Sequence, residues 1–250
     1  MEKIEELYEP PRYRAKSFVY EPCDRYGNVN LQQLMLDFQD IAGINADDLD
    51  IGPSYYVPNR ICFVICRMKG WFVKPVPFGE KVWFVTFALP IDEKIQFYRQ
   101  AFACDSEGDV FFRLTSSWVM ISAEKRRIVT TDALKEHILS VSPFVTENQP
   151  IAEKRLKALE TIETTEENRK VYVVGEGDID NNHHMNNTVY FKIMQNFGFR
   201  DTISSFEIDF EKESFAGEKI CTGTVGLENS DYYIGHKEDG SLSFKANINY

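Results

Sequence analysis

The sequence predicts an α+β protein made of two related units, each a long central helix wrapped by an antiparallel sheet. Three observations carry this. Each half holds one helix with a single apolar stripe, each helix is followed by segments rich in β-branched and aromatic residues, and two stretches of the first half recur in order in the second. With 250 residues the chain is long enough for one large domain or two of roughly 100 to 150 residues.

The first helix is read over residues 30 to 49. Leu34, Met35, Phe38, Ile41 and Ala42 fall at helical spacing, and Asn30 is placed to cap the start with Gln33 three residues on. From Arg60 to Val129 the texture becomes that of strands: 62–65, 71–73, 81–88, 95–104 and 110–121, divided by turns such as Pro77-Phe-Gly79 and Asp105-Ser-Glu-Gly108. Residues 130 to 165 are richer in charge and read as a linker, with 131–139 and 151–159 as short amphipathic helices. Beyond it come a strand at 171–174, a second helix over 186–199 with Tyr190, Ile193, Met194 and Phe197 on one face, and further strands from 205 to 250.

The repeat is specific. Asp24-Arg-Tyr-Gly-Asn-Val-Asn30 overlays Asp180-Asn-Asn-His-His-Met-Asn186, and Gly79-Glu-Lys81 overlays Gly217-Glu-Lys219. The expected organisation is therefore a tandem double hotdog: an N-terminal unit over 1–129, a linker over 130–165 and a C-terminal unit over 166–250.

Composition excludes several functions. With 39 Asp and Glu against 28 Lys and Arg, the net charge of -11 argues against a duplex nucleic-acid binder and an anionic membrane surface. Cys23, Cys62, Cys66, Cys104 and Cys221 are scattered and odd in number, which fits reduced thiols in a cytoplasm better than a disulfide framework. The acidic start Met-Glu-Lys-Ile-Glu-Glu is unlike an export signal, and no apolar run is long enough to span a membrane. A phosphate-binding glycine loop and a Gly-x-Ser-x-Gly elbow are both missing, so neither a nucleotide cofactor nor a serine-hydrolase nucleophile is expected. Adjacent His183 and His184 do not make a metal site, since neighbouring side chains rarely converge. No metal or other cofactor is predicted.

The polar run before the second helix is where chemistry would reside. By residue type alone, Asp180, Asn182, Asn186 and Asn187 read equally as turn and capping residues. A helix start also offers N–H groups to an oxyanion, which places this run for acyl chemistry.

These residues also carry a resemblance. The run Asp178-Ile-Asp-Asn-Asn-His-His-Met-Asn-Asn187 is similar to the Asp-Leu-Asp-x-Asn-x-His-x-Asn-Asn signature of the acyl-acyl-carrier-protein thioesterases, the bacterial relatives of the plant plastid enzymes. Cys66-Arg-Met, the 75–82 turn and strand, and Ser117-Trp-Val-Met-Ile-Ser with Lys125-Arg-Arg resemble the family in the first half. The resemblance implies a double hotdog that hydrolyses the thioester between a fatty acyl chain and acyl carrier protein, with Asp180, Asn182 and His184 as active-site residues. A Glu-Cys pair of the family is met here by Glu213-Ser214, which keeps the carboxylate but not the thiol. Water attack assisted by Glu213, His184 or Asp180, with Asn182 and the helix start holding the oxyanion, is the expected route.

In the first unit, Leu34, Met35 and Phe38 are the expected lining of an acyl slot. Arg126, Arg127, Lys154 and Arg155, within the runs around Lys125 and Lys157, are the candidate docking surface for the acidic carrier. A homodimer is compatible with the sequence but not read from it. An acyl-CoA thioesterase, a hotdog dehydratase or hydratase, and a non-catalytic acyl-binding protein remain alternatives.

Overall fold

The structure is a computed structural model that describes residues 3–89, 96–129, 156–164 and 168–250. Among the described residues ten strands form one antiparallel sheet. In chain order they are β1 (Arg14–Val19), β2 (Ile61–Phe72), β3 (Lys81–Ala88), β4 (Gln96–Cys104), β5 (Val110–Ser122), β6 (Arg169–Val173), β7 (Ser205–Phe210), β8 (Lys219–Gly226), β9 (Ser230–Lys237) and β10 (Leu242–Asn249). The helices are α1 (Lys3–Leu7), α2 (Leu31–Asp48), α3 (Pro53–Tyr56) and α4 (Val189–Gln195).

The strand order across the sheet is β1-β3-β4-β5-β2-β7-β10-β9-β8-β6. Inward from either edge it runs first, third, fourth, fifth, second strand of that half, so both halves have one topology and meet at β2 and β7. Here Arg67 faces Asp209 and Gly70 faces Phe206 across the ladder. Gly70 has no room for a side chain, because a Cβ there would stand 2.5 Å from the Phe206 ring and 2.8 Å from the Phe112 ring.

The segments that overlay in sequence share geometry. Asp24 Oδ1 accepts the Tyr26 N–H at 2.9 Å, as Asp180 Oδ1 accepts that of Asn182 at 2.7 Å. Gly27 and His183 occupy the same left-handed position, at φ 76° and 64°. Gly79 and Gly217 are also left-handed, and each donates its N–H to the residue just past the first strand of its half, Tyr20 or Val174.

Helix α2 forms where the apolar spacing places it. The Asn30 side chain accepts the Gln33 N–H at 3.2 Å, and Leu34, Met35, Phe38 and Ile41 are fully buried. Packed against α4, they enter one continuous core that draws on both halves, so the two units share a single interior. A second apolar cluster around Trp83, Val85, Phe87 and Phe102 is covered by Ile4 of α1 and by Tyr8.

Three elements differ from expectation. The segments 62–65 and 71–73 fall, apart from Val73, in one strand, β2, whose register shift between Ile65 and Arg67 interrupts the apolar alternation. Helix α4 is shorter than 186–199. At its start the Asn186 side chain and carbonyl take the N–H groups of Thr188 and Val189, and at its end Gly198 turns left-handed at φ 81°. Residues 156–159, predicted as the end of a linker helix, are not helical. Their main chain bonds to sheet side chains instead: Leu159 N–H to Asp209 Oδ2 at 2.8 Å and Leu159 C=O to Lys245 Nζ at 2.8 Å. The predicted helix 131–139 lies outside the described residues.

Candidate active site

The loop from Ile179 to Met185 is a tight hairpin between a short 3₁₀ turn (Glu176–Asp178) and α4, closed by a β-bridge between those two residues. Asp180 N–H bonds to the His184 carbonyl at 2.9 Å and His183 N–H to the Asp180 carbonyl at 3.0 Å, which forces His183 left-handed and turns His184 inward. His184 is buried, while His183 is exposed.

Asp178 holds the base of this loop. Its Oδ2 accepts the Tyr172 hydroxyl at 2.7 Å and the Gly175 N–H at 2.9 Å, and its carbonyl accepts Asn186 N–H at 2.8 Å. Burial pushes the Asp178 carboxyl up, but Tyr172, Gly175 and Lys192 together outweigh it and hold the group below its ordinary 3.8. A depressed carboxyl contributes stability above its unfolded value and loses it as pH falls through the folded one. Asp178→Asn is therefore expected to cost about 1–2 kcal/mol at pH 7. Melting curves of the two proteins should converge as pH drops below 3.8; a gap that persisted under acid would refute the assignment.

Three of the sequence-predicted residues converge, along with one assigned elsewhere. His184 Nδ1 lies 3.6 Å from Asp180 Oδ2, and His184 Nε2 lies 3.7 Å from Glu213 Oε1. These are ion-pair rather than hydrogen-bond lengths, and catalytic contacts of this kind commonly tighten when substrate binds. Arg126, proposed above for carrier docking, forms an ion pair with Glu213 Oε1 from the turn after β5. A first-half cation thus closes on a second-half carboxylate. Ser214 turns away from the group: its hydroxyl is fully buried, 3.3 Å from Ser243 Oγ.

Asp180, Asn182 and His184 line a cavity of about 290 Å³ between the loop and the first half. The first-half wall comes from Gln39, Ala42, Gly43 and Ala46 of α2, from Cys62 and Phe63 of β2, from Phe97 and Arg99 of β4, and from Trp118 of β5. Leu34, Met35 and Phe38 are not part of this lining. They pack the core one face round the helix, because the bulky stripe is drawn against the sheet while the small residues beside it leave space. Asn187, read only as a turn residue, does line it.

At the helix start the N–H groups of Thr188, Val189 and Phe191 are taken by Asn186 and Thr188. Cys62 is a neighbour that sequence reasoning missed. Burial pushes its thiol up, although Arg126 pulls the other way. Among the described residues no cluster of His, Cys, Asp and Glu could hold a metal ion, and no helix is long and apolar enough to cross a membrane.

The family models decide the identity. Residues 13–138 match the acyl-ACP thioesterase N-terminal domain and residues 161–250 the C-terminal domain. The chain belongs to the acyl-ACP thioesterase family. Its reaction is the hydrolysis of the thioester of acyl-acyl carrier protein, and its substrate is that acylated carrier. Similar solved structures include the 12:0-ACP thioesterase from Umbellularia californica, at TM-score 0.82 and 18% identity over 95% of this chain and 96% of that one. Another is an acyl-ACP thioesterase from Bacteroides thetaiotaomicron, at TM-score 0.78 and 18% identity over 95% of this chain and 97% of that one. These likenesses bear on the hotdog-like fold. No curated protein sequence matches the chain.

Proposed function

We propose that this thioesterase is a tandem double hotdog whose second-half loop activates water against an acyl thioester held in the cavity shared with the first half. The observation that carries the mechanism is His184 set between two carboxylates. If Nδ1–H serves the Asp180 carboxylate or the Met185 carbonyl 3.3 Å away, the Nε2 lone pair faces Glu213 Oε1 at 3.7 Å. Two acceptors aimed at one point call for a shared donor, and a water molecule placed there is polarised by both.

Water adds to the thioester carbonyl, forming the C–O bond, while its proton passes to the His184–Glu213 pair. Asp180 and Glu213 stabilise the imidazolium from either side. The oxyanion is met by the side-chain amides of Asn182 and Asn187, which line the cavity beside the helix start. Collapse breaks the C–S bond, and the thiol leaves readily because its pKa is near ~8.5. Arg126 pairs with Glu213 and fixes its position. Water attack is favoured over an acyl-enzyme because Ser214 bonds to Ser243, and the Cys62 thiol, raised by burial, is a weak nucleophile.

With Arg126 engaged by Glu213, the exposed Lys125 and Arg127 on the same turn are left to meet the acidic carrier. Lys154 and Arg155 lie outside the described residues. Thiol release from acyl-carrier-protein and acyl-CoA thioesters of one chain length tests the reading. The protein-bound thioester should have the lower KM, and Lys125→Glu with Arg127→Glu should raise that KM several-fold with kcat kept. Equal KM values for both carriers, insensitive to the charge reversal, would sink the docking role.

A further inference from the structure

The first-half wall of the cavity carries a cation that thioester hydrolysis does not use. Arg99 is 8% exposed and lines the cavity on β4. Its Nη1 donates to Asn45 Oδ1 at 2.6 Å and to Thr86 Oγ1 at 3.3 Å. Both acceptors are neutral. Among the described residues no carboxylate pairs with the guanidinium, whose bonds to Asn45 and Thr86 are both made by Nη1. Burial alone lowers the group, to about 10, so it stays charged at neutral pH.

The surroundings make this a built site. Asn45 also donates to the Pro11 carbonyl at 3.0 Å, Ser116 Oγ donates to the Arg99 carbonyl at 3.2 Å, and Trp118 Nε1 donates to Ser116 Oγ at 2.8 Å. The guanidinium is thus held in a fixed polar layer, with Ala101 and Ala103 of the core beyond it on β4 and Phe97 on the cavity side. From the β2 residue Cys62, whose thiol senses Asp180, β4 lies two strands across, and the register through β5, with Cys62 opposite Ile121 and Ser116 opposite Arg99, sets Arg99 five residues along, about 10 Å across and about 17 Å along the strands. Arg99 is therefore met by the acyl chain well beyond its thioester end. A slot for a plain alkyl chain has no use for a desolvated, unneutralised cation, which is expensive to bury.

We propose that Arg99 is a specificity residue that recognises an oxygen carried on the distal part of the acyl chain, as a hydroxyl, an oxo group or a terminal carboxylate. The inference rests on the thioesterase reading only for the nature of the chain, and its test does not depend on turnover. Calorimetry should compare free acids of one length: the saturated monoacid, its hydroxy and oxo forms, and the α,ω-diacid. The wild-type protein should bind at least one oxygenated acid roughly tenfold or more tightly than the saturated one. In Arg99→Met that ratio should fall to near one, and Arg99→Lys should keep a preference for the diacid if the oxygen is a carboxylate. Equal or tighter binding of the saturated acid by the wild type would overturn the proposal, and this ranking decides even if Arg99→Met does not fold. A protein that ranked the acids as expected but cleaved no thioester would refute the hydrolytic roles given to the loop and leave Arg99's role standing.

Discussion

His184→Ala is expected to lower kcat/KM for an acyl-carrier-protein thioester by about 10²–10⁴-fold, the range for loss of a positioned acid–base group. Glu213→Gln should fall in the same range, because the amide can neither share the proton nor stabilise the imidazolium. Asp180→Asn should lose somewhat less, since the loop keeps the acceptor for the Asn182 N–H. Melting temperatures should move little in all three, as none of these residues belongs to an apolar core cluster. Ser214→Ala and Cys62→Ser should stay within a few-fold of wild type. A dead Ser214→Ala beside a healthy Glu213→Gln would sink water attack in favour of an acyl-enzyme.

Arg126 divides the mechanism further. If it fixes Glu213, Arg126→Met should lower kcat rather than raise KM, and Arg126→Lys should recover part of the loss. A docking residue would do the reverse, raising KM with kcat unchanged.

Such contrasts explain what could be read from the sequence. The candidate loop was legible because its polar residues are contiguous: Asp180, Asn182 and His184 stand on one five-residue turn whose geometry is repeated at Asp24. Helix α2 was legible because burial imposes a period, and Leu34, Met35 and Phe38 obey it. The cavity was not, because periodicity marks what fills space. Ala42, Gly43 and Ala46 matter for the space they leave. The pairing of Arg126 was hidden for another reason. Its partner Glu213 lies in the other half, and only the joining of β2 to β7 brings the two halves into register. In the first-half loop, Asn28 stands where His184 stands in the second. It bonds Asp24 Oδ2 at 2.8 Å, the Asp201 carbonyl at 3.1 Å and Ile203 N–H at 2.8 Å. The position proposed for catalysis in one loop therefore ties the halves together in the other.

The same join makes Asp209→Ala the most damaging single change to stability expected outside the core. Asp209 is 3% exposed on β7, with Arg67 Nε of β2 at 3.3 Å from Oδ1 and Lys245 Nζ of β10 at 3.8 Å from Oδ2. It also anchors Leu159, whose carbonyl is taken by Lys245. Alanine would leave two largely buried cations without this carboxylate and free the strap at 156–164, at a cost of about 3–5 kcal/mol. For a chain of this length that is a fall of roughly 6–20 °C in melting temperature. Asp209→Asn, which can still accept the Leu159 N–H, should cost less. Burial raises the Asp209 carboxyl above 3.8 against the pull of Leu159, Arg67 and Lys245. The folded state therefore favours its protonated form, and the contribution of that proton is complete below 3.8 and fades as pH rises through the raised value. The advantage of wild type over Asp209→Asn should accordingly narrow from acid toward neutral pH. An Ala variant within 1 kcal/mol of wild type, or an Asn gap that widened with pH, would show that Asp209 does not hold the two halves and the strap together.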